Sequence, residues 1–333
     1  MHSDYDVIAT LGPGSVGTVT WQAMLSAGAT GLRLNTSHLT LAQVHAWLAR
    51  LGAFLAAQDP RPPLVLDLQG SKWRLGDFPA FDLTAGLKVE IVLAAATDRP
   101  RVLPVPHPDF FQAAALSDGE IVLNDAKSRL ALESAGSDTL ITRVTRGGQI
   151  APRKGITYAS SGYRQEGLSE KDRAVFAETR GLAGVRYAVS YVRDAAEMAR
   201  YRRQCGASTY LIAKLERRPA VDEAAEIAAC VDELWLCRGD LGAELGTRAM
   251  AEAVSRFSAG VAQLPVPALM AGQVLEHMTA HPTPTRSEVC YLHDTLTRGY
   301  RGFVLSDEAA IGRYPVESCR AAAMFRKDRC LTD

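Results

Sequence analysis

The sequence lacks a charge imbalance: 37 Lys and Arg stand against 37 Asp and Glu, a formal net charge of +0. With no overall field there is nothing to hold nucleic acid or an anionic membrane, so any anion must be met by a local cluster of cations. Small-molecule partners are expected. The chain also lacks a run of the roughly 20 apolar residues that spanning a bilayer needs. Its first residues, MHSDYDVIATLGPGS, show no basic stretch leading into an apolar one, so no leader is read there and a cytoplasmic protein is expected. The six cysteines, Cys205, Cys230, Cys237, Cys290, Cys319 and Cys330, show no CxxC spacing; they read as reduced thiols, and zinc is not expected. No GxGxxG follows the first strand, which argues against a doubly wound open sheet.

What is there is an alternation of strand and helix signals. Asp6 to Leu11 reads as a buried strand closed by Gly12, Pro13 and Gly14, and a helix over about Thr18 to Ala27 carries Trp21, Met24 and Leu25 at helical spacing. GLRLNTSH is a second strand, Thr40 to Ala57 a second helix, and PLVLDL a third strand. From about residue 76 to 166 the rhythm changes. LKVEIVLAA, GEIVLN, SRLALESAG and DTLITRV are β-type runs broken by Gly, Pro and Asp, with no convincing helix between them. Alternation returns at GLSEKD and runs through YAVSYV, YLIAKLE, ELWLCRGDLG, PALMAGQ and GFVLSDE. Eight such units most simply close into a (β/α)8 TIM barrel, α/β in class, over 1–75 and 167–333, with a small all-β lid domain at 76–166 inserted after the third strand. The chemistry of such a barrel sits at the C-terminal ends of its strands.

Two of those ends carry charge. Alternate residues of a strand share a face, so Lys214 and Glu216 in YLIAKLE point the same way, and acidic groups ending two successive parallel strands would meet at one rim. Glu216 and Asp240 offer hard carboxylate oxygens suited to Mg²⁺ or Mn²⁺, with Lys214 beside them. The residues alone leave alternatives open: Glu216 paired with Arg217 or Arg218, Lys214 paired with Glu216, and Asp240 capping the next turn.

In order along the chain, IATLGPGS, GLRLNTSH, LDLQGSKWRLG, the RKG at Arg153 to Gly155, SYVRDAAEM, IAKLE, CRGDLG, PTPTRSE and LSDEAAIGRYP resemble the strand-end motifs of the pyruvate kinase family. The resemblance covers essentially the whole chain. It implies phosphoryl transfer between phosphoenolpyruvate, or a related enol phosphate, and ADP to give ATP, with the divalent metal on Glu216 and Asp240. It also implies that Lys214 faces the transferring group, that Arg74 holds phosphate, and that Gly239, Asp240 and Gly272 border the substrate. Arg33, Asn35 and His38 match positions that approach the nucleotide phosphates, and Lys154 one that closes onto phosphate. Asp125 matches an acid directed from the lid, although Asn124 beside it departs from the usual pair of aspartates. Ser306 and Glu308 would supply a proton relay or cap their loop.

Departures from the family pattern shape the remaining expectations. The family's monovalent-cation site corresponds to Asn35, Ser37, Asp67 and Leu68. Leu68 and Lys72 stand where most members carry threonine and glutamate; the Lys72 ammonium can take the cation's place, so K⁺ is not expected to be required. Gly272 replaces a threonine and Cys237 a smaller alanine, so the pocket is expected to be reshaped, for slower turnover or for a bulkier enol phosphate or 2-oxo acid. The family normally continues into a further α/β domain, so no C-terminal regulatory domain and no sugar-phosphate allostery are expected, while PTPTRSE leaves a homodimer open. Two other function classes remain. Against a metal-dependent lyase or aldolase working through a 2-oxo acid enolate stand the three cations Arg74, Lys154 and Lys214; against a non-catalytic regulatory protein stand Lys214, Glu216 and Asp240.

Overall fold

The computed structural model describes residues 4–117, 119–124, 127–158 and 167–326. They form two compact units, the first made of the described residues within 1–68, 170–238 and 253–333, the second of those within 69–169 and 239–252.

The first unit is a closed barrel of eight parallel strands: β1 (Asp6–Leu11), β2 (Gly31–Asn35), β3 (Leu64–Leu68), β4 (Val185–Val189), β5 (Leu211–Leu215), β6 (Glu233–Cys237), β7 (Ala268–Ala271) and β8 (Gly302–Leu305). They neighbour one another in chain order, and the ring closes where β1 pairs with β8, from Asp6 with Gly302 to Ala9 with Leu305. Strands covered on both faces read as continuous apolar runs, and β3, β5, β6, β7 and β8 are buried at every position. Ile8, Val65, Ala188, Ile212, Trp235, Leu269 and Val304 pack together, with Cys237 and Ala271 from the last residues of β6 and β7. The closure depends on Gly302, because a Cβ there would lie 2.1 Å from the Asp6 carbonyl oxygen.

The expected helices form around this ring. The helix Leu41–Ala56 opens with a capping box between Thr40 and Gln43, and Arg286–Arg298 with one between Thr285 and Glu288; each satisfies backbone N–H groups that the first turn leaves unpaired. After β5 two short helices form, Arg218–Asp222 and Ala224–Ala228. Among the described residues no helix is long and apolar enough to cross a membrane.

The second unit contains a six-stranded sheet in the order Ile156–Tyr158, Glu120–Leu123, Ser128–Ala135, Thr139–Arg146, Lys88–Val92 and Val102–Pro104. Phe81–Leu83 pairs with Gly148–Ile150 in a separate ribbon. The insertion after the third strand is thus β-built, as the turn-rich composition implied, with one short helix, Pro108–Ala113, that the sequence did not announce. That helix is held by tertiary packing. Phe110 stacks on Tyr158 at 4.7 Å and meets Trp73 edge-on at 5.2 Å, all three fully buried.

Candidate active site

In the first unit, the C-terminal ends of β3, β4 and β5 converge on one ammonium group. Lys214 Nζ lies 2.9 Å from Glu216 Oε1, 3.1 Å from Asp67 Oδ2 and 2.9 Å from Ser190 Oγ. Ser190 in turn donates to Asp67 Oδ1 at 2.9 Å. Arg33, from β2, completes the cluster: its Nε donates to Asp67 at 2.9 Å, its Nη2 to the same oxygen, and its Nη1 to Thr10 at 2.7 Å. Two cations thus neutralise two carboxylates, which is the condition under which buried charges survive desolvation.

The electrostatics follow from that pairing. Burial opposes ionisation of Asp67 most strongly, yet Lys214 and Arg33 overcome it and hold the carboxyl well below the usual range. Burial likewise works against the charge of Lys214, but Asp67 and Glu216 raise its affinity for the proton above that of an ordinary lysine. Lys214 is therefore a fixed positive charge, unsuited to act as a base. The Cys237 thiol is pushed well above its normal range by burial and then by Glu216, so it stays protonated. Glu216 Oε2 accepts the Tyr191 backbone N–H at 2.7 Å. Tyr191 itself adopts φ +60°, a conformation that bulky residues rarely occupy, at the point where this contact is made.

The loop after β2 carries the next group. Asn35 Oδ1 accepts the Ser37 N–H at 3.1 Å, which caps the single 3-10 turn Thr36–His38, and Thr36 Oγ1 donates to the Asp67 carbonyl at 2.7 Å. The Ser37 hydroxyl is buried without a partner among the described residues, and His38 is exposed. Leu68 ends β3, its carbonyl accepting the Ser190 N–H at 3.2 Å.

After β7, Gly272 has φ +81° and Gln273 φ +54°. Arg238 clamps this left-handed pair, donating to the Gly272 carbonyl from Nε at 3.0 Å and Nη2 at 2.7 Å, and from Nη2 to the Gln273 carbonyl at 2.8 Å. Glycine in place of the family's threonine also suits the backbone here, since a β-branched residue is strained at this φ. After β8, Glu308 accepts the Ser306 N–H at 3.0 Å and the Leu275 N–H at 3.2 Å. Both carboxylate oxygens tie loops together, and burial raises the pKa to about 7. The capping geometry is in place.

In the second unit Asp240 lies in the first turn of the helix Arg238–Leu245, next to Gly239, and Lys72 Nζ meets its Oδ1 at 2.5 Å. Lys72 passes so close to Gly155 that a Cβ there would sit 2.6 Å from its Cε. Arg74 bridges to Gly155 and donates to the Arg153 carbonyl at 3.0 Å, while the Lys154 carbonyl accepts the Leu75 N–H at 2.9 Å. The two basic motifs, KWR and RKG, are thereby joined. Asp125 lies outside the described residues.

Among the described residues no three His, Cys, Asp or Glu side chains gather as a metal cluster. Mg²⁺ is ordinarily held by one or two carboxylates with waters and substrate oxygens, and Glu216 and Asp240, each matched with an ammonium, have the donor chemistry for that role. Thr10, Ser190 and Tyr191 join this cluster without being among the expected site residues. Ser190 and Tyr191 follow β4 within SYVRDAAEM, and their position at a strand end was the available signal.

A family profile described as "Pyruvate kinase, barrel domain" matches residues 3–319. Pyruvate kinase of Methylorubrum extorquens is 30% identical over 94% of this chain and 66% of its own length. Pyruvate kinase of Agrobacterium vitis is 28% identical over 94% of the chain and 65% of its length, and that of Aeropyrum pernix 30% identical over 96% and 69%. The chain spans about two thirds of the length of these relatives. Because this profile matches residues 3–319 of the 333, the chain belongs to the pyruvate kinase family.

Proposed function

We propose that this protein moves a phosphoryl group between an enol phosphate, phosphoenolpyruvate or a relative of it, and a nucleoside diphosphate such as ADP. The observation that carries the reading is the Lys214 ammonium, buried, permanently charged and fixed by Asp67, Ser190 and Glu216 at the ends of the barrel strands.

Phosphoryl transfer asks little covalent chemistry of a protein; it needs the reacting oxygens in line and charge neutralised where it develops. A pre-positioned ammonium does this without reorganisation at the moment of reaction. Arg33 holds Asp67, and through it the orientation of Lys214. Arg74 and Lys154 are the proposed phosphate contacts, and Asn35 and His38 the proposed nucleotide contacts. Mg²⁺ or Mn²⁺, when bound through Glu216 and Asp240, would supply Lewis-acid stabilisation of phosphoryl and enolate oxygens. Transfer to ADP leaves ATP and an enolate, and a proton added to the enolate carbon completes the 2-oxo acid. K⁺ is not required in this reading, because the Lys72 ammonium serves in its place.

The test is direct. Protein incubated with Mg²⁺ or Mn²⁺, ADP and phosphoenolpyruvate or related enol phosphates should form ATP and a 2-oxo acid in equal amounts, and Lys214→Ala protein should not. Absence of ATP from every enol phosphate, with both proteins, would overturn the proposal.

A further inference from the structure

The turn that follows β2 is too short to hold its own shape. Thr36–His38 is one 3-10 turn, and a nucleus of this size is unfavourable unless other groups stabilise it. From the strand side it is tied by Asn35 to the Ser37 N–H and by Thr36 to the Asp67 carbonyl. From the other side comes Lys171, in the first turn of the helix Glu170–Thr179. Its Nζ donates to the carbonyls of Thr36 at 2.9 Å, Leu39 at 3.2 Å and Ser37 at 3.3 Å. Three backbone carbonyls, in and just after one turn, thus accept from a single ammonium.

We propose that Lys171 is a positioning residue, a half-buried ammonium that fixes the loop after β2 in the form that receives the nucleotide. The proposal rests on the phosphotransferase reading, in which Asn35 and His38 of this loop contact the nucleotide. Without the ammonium the turn populates other conformations, and apparent affinity falls by the fraction that remains competent. The proposed enol phosphate contacts, Arg74, Lys154 and Lys214, lie outside this loop.

The variants are Lys171→Ala, which leaves room for a small amine, and Lys171→Met, which keeps the aliphatic volume and removes only the charge. Both should raise KM for ADP by about tenfold or more, the scale of losing charge-assisted hydrogen bonds, with smaller changes in kcat and in KM for the enol phosphate. Amide hydrogen exchange at residues 37–39 should quicken. Added n-propylammonium should restore both properties in Lys171→Ala and neither in Lys171→Met, a response that loss of packing alone does not produce. Exchange in Lys171→Met identical to wild type, or an unchanged KM for ADP with turnover intact, would overturn the proposal. If wild-type protein makes no ATP, the phosphotransferase reading fails; loop exchange and calorimetric binding of Mg·ADP to the same variants then decide the role of Lys171 separately.

Discussion

Lys214 Nζ and Glu216 Oε1 are 2.9 Å apart, two side chains on one face of the β5 end. The same ammonium reaches Asp67 of β3 at 3.1 Å, so one cation serves two buried carboxylates. Asp67 is also held by Arg33, whereas Glu216 relies on Lys214 and the Tyr191 N–H.

Replacing Lys214 with Met should therefore abolish phosphoryl transfer and also destabilise the fold by about 3 kcal/mol, the scale of breaking a buried ion pair. Urea unfolding at neutral pH measures the second effect and ATP formation the first. Loss of activity without loss of stability would mean that the cluster does not depend on the lysine.

Asp67 imposes an acid limit on the barrel. Its folded-state pKa is depressed by Lys214 and Arg33 against the effect of burial, so its stabilisation is fully present above the ordinary carboxylate range and is lost as pH falls through the folded value. Asp67→Asn should flatten the acid limb of a stability profile measured by denaturant titration. An unchanged limb would place the acid sensitivity elsewhere.

Glu308 works with the opposite sign. Burial raises its pKa from 4.5 to about 7, so the folded state holds the proton more tightly than the unfolded state. Stability should fall by up to about 3 kcal/mol as pH rises between those two values and then level off. Glu308→Gln should remove that slope, although losing an acceptor for the Ser306 or Leu275 N–H lowers stability at every pH. A slope of the same size in the variant would rule Glu308 out as its source.

Restoring threonine at position 272 should not restore an ordinary pocket. At φ +81° a β-branched residue costs about 1–3 kcal/mol, and relief of that strain would move the carbonyl that Arg238 clamps. Thermal unfolding of Gly272→Thr should show the loss, with a smaller one for Gly272→Ala. Equal stability of all three proteins would mean that the backbone relaxes freely there.

Turnover is expected to be the same in K⁺ and Na⁺ at constant ionic strength, with a K⁺ response appearing in Lys72→Ala. Strong activation of the wild-type protein by K⁺ over Na⁺ would remove the role assigned to Lys72.

Much of the architecture was legible in the residues because it rests on local patterns. The apolar runs of β3 and β5 and the turn-rich composition after Leu68 each act within a few positions of themselves. The facing of Lys214 and Glu216 followed from the two-residue period of a strand, and the family from motifs in an unbroken order. What tertiary structure alone decided is which groups meet across strands and loops. That Asp67 is shared by Arg33, Ser190 and Lys214, and that Lys72 stands on Asp240, 168 positions further along the chain, depends on barrel closure and loop placement, which no local period encodes. The left-handed step at Gly272 and Gln273 and the carbonyl cradle around Lys171 belong to the same class, because backbone direction in a loop is set by its partners.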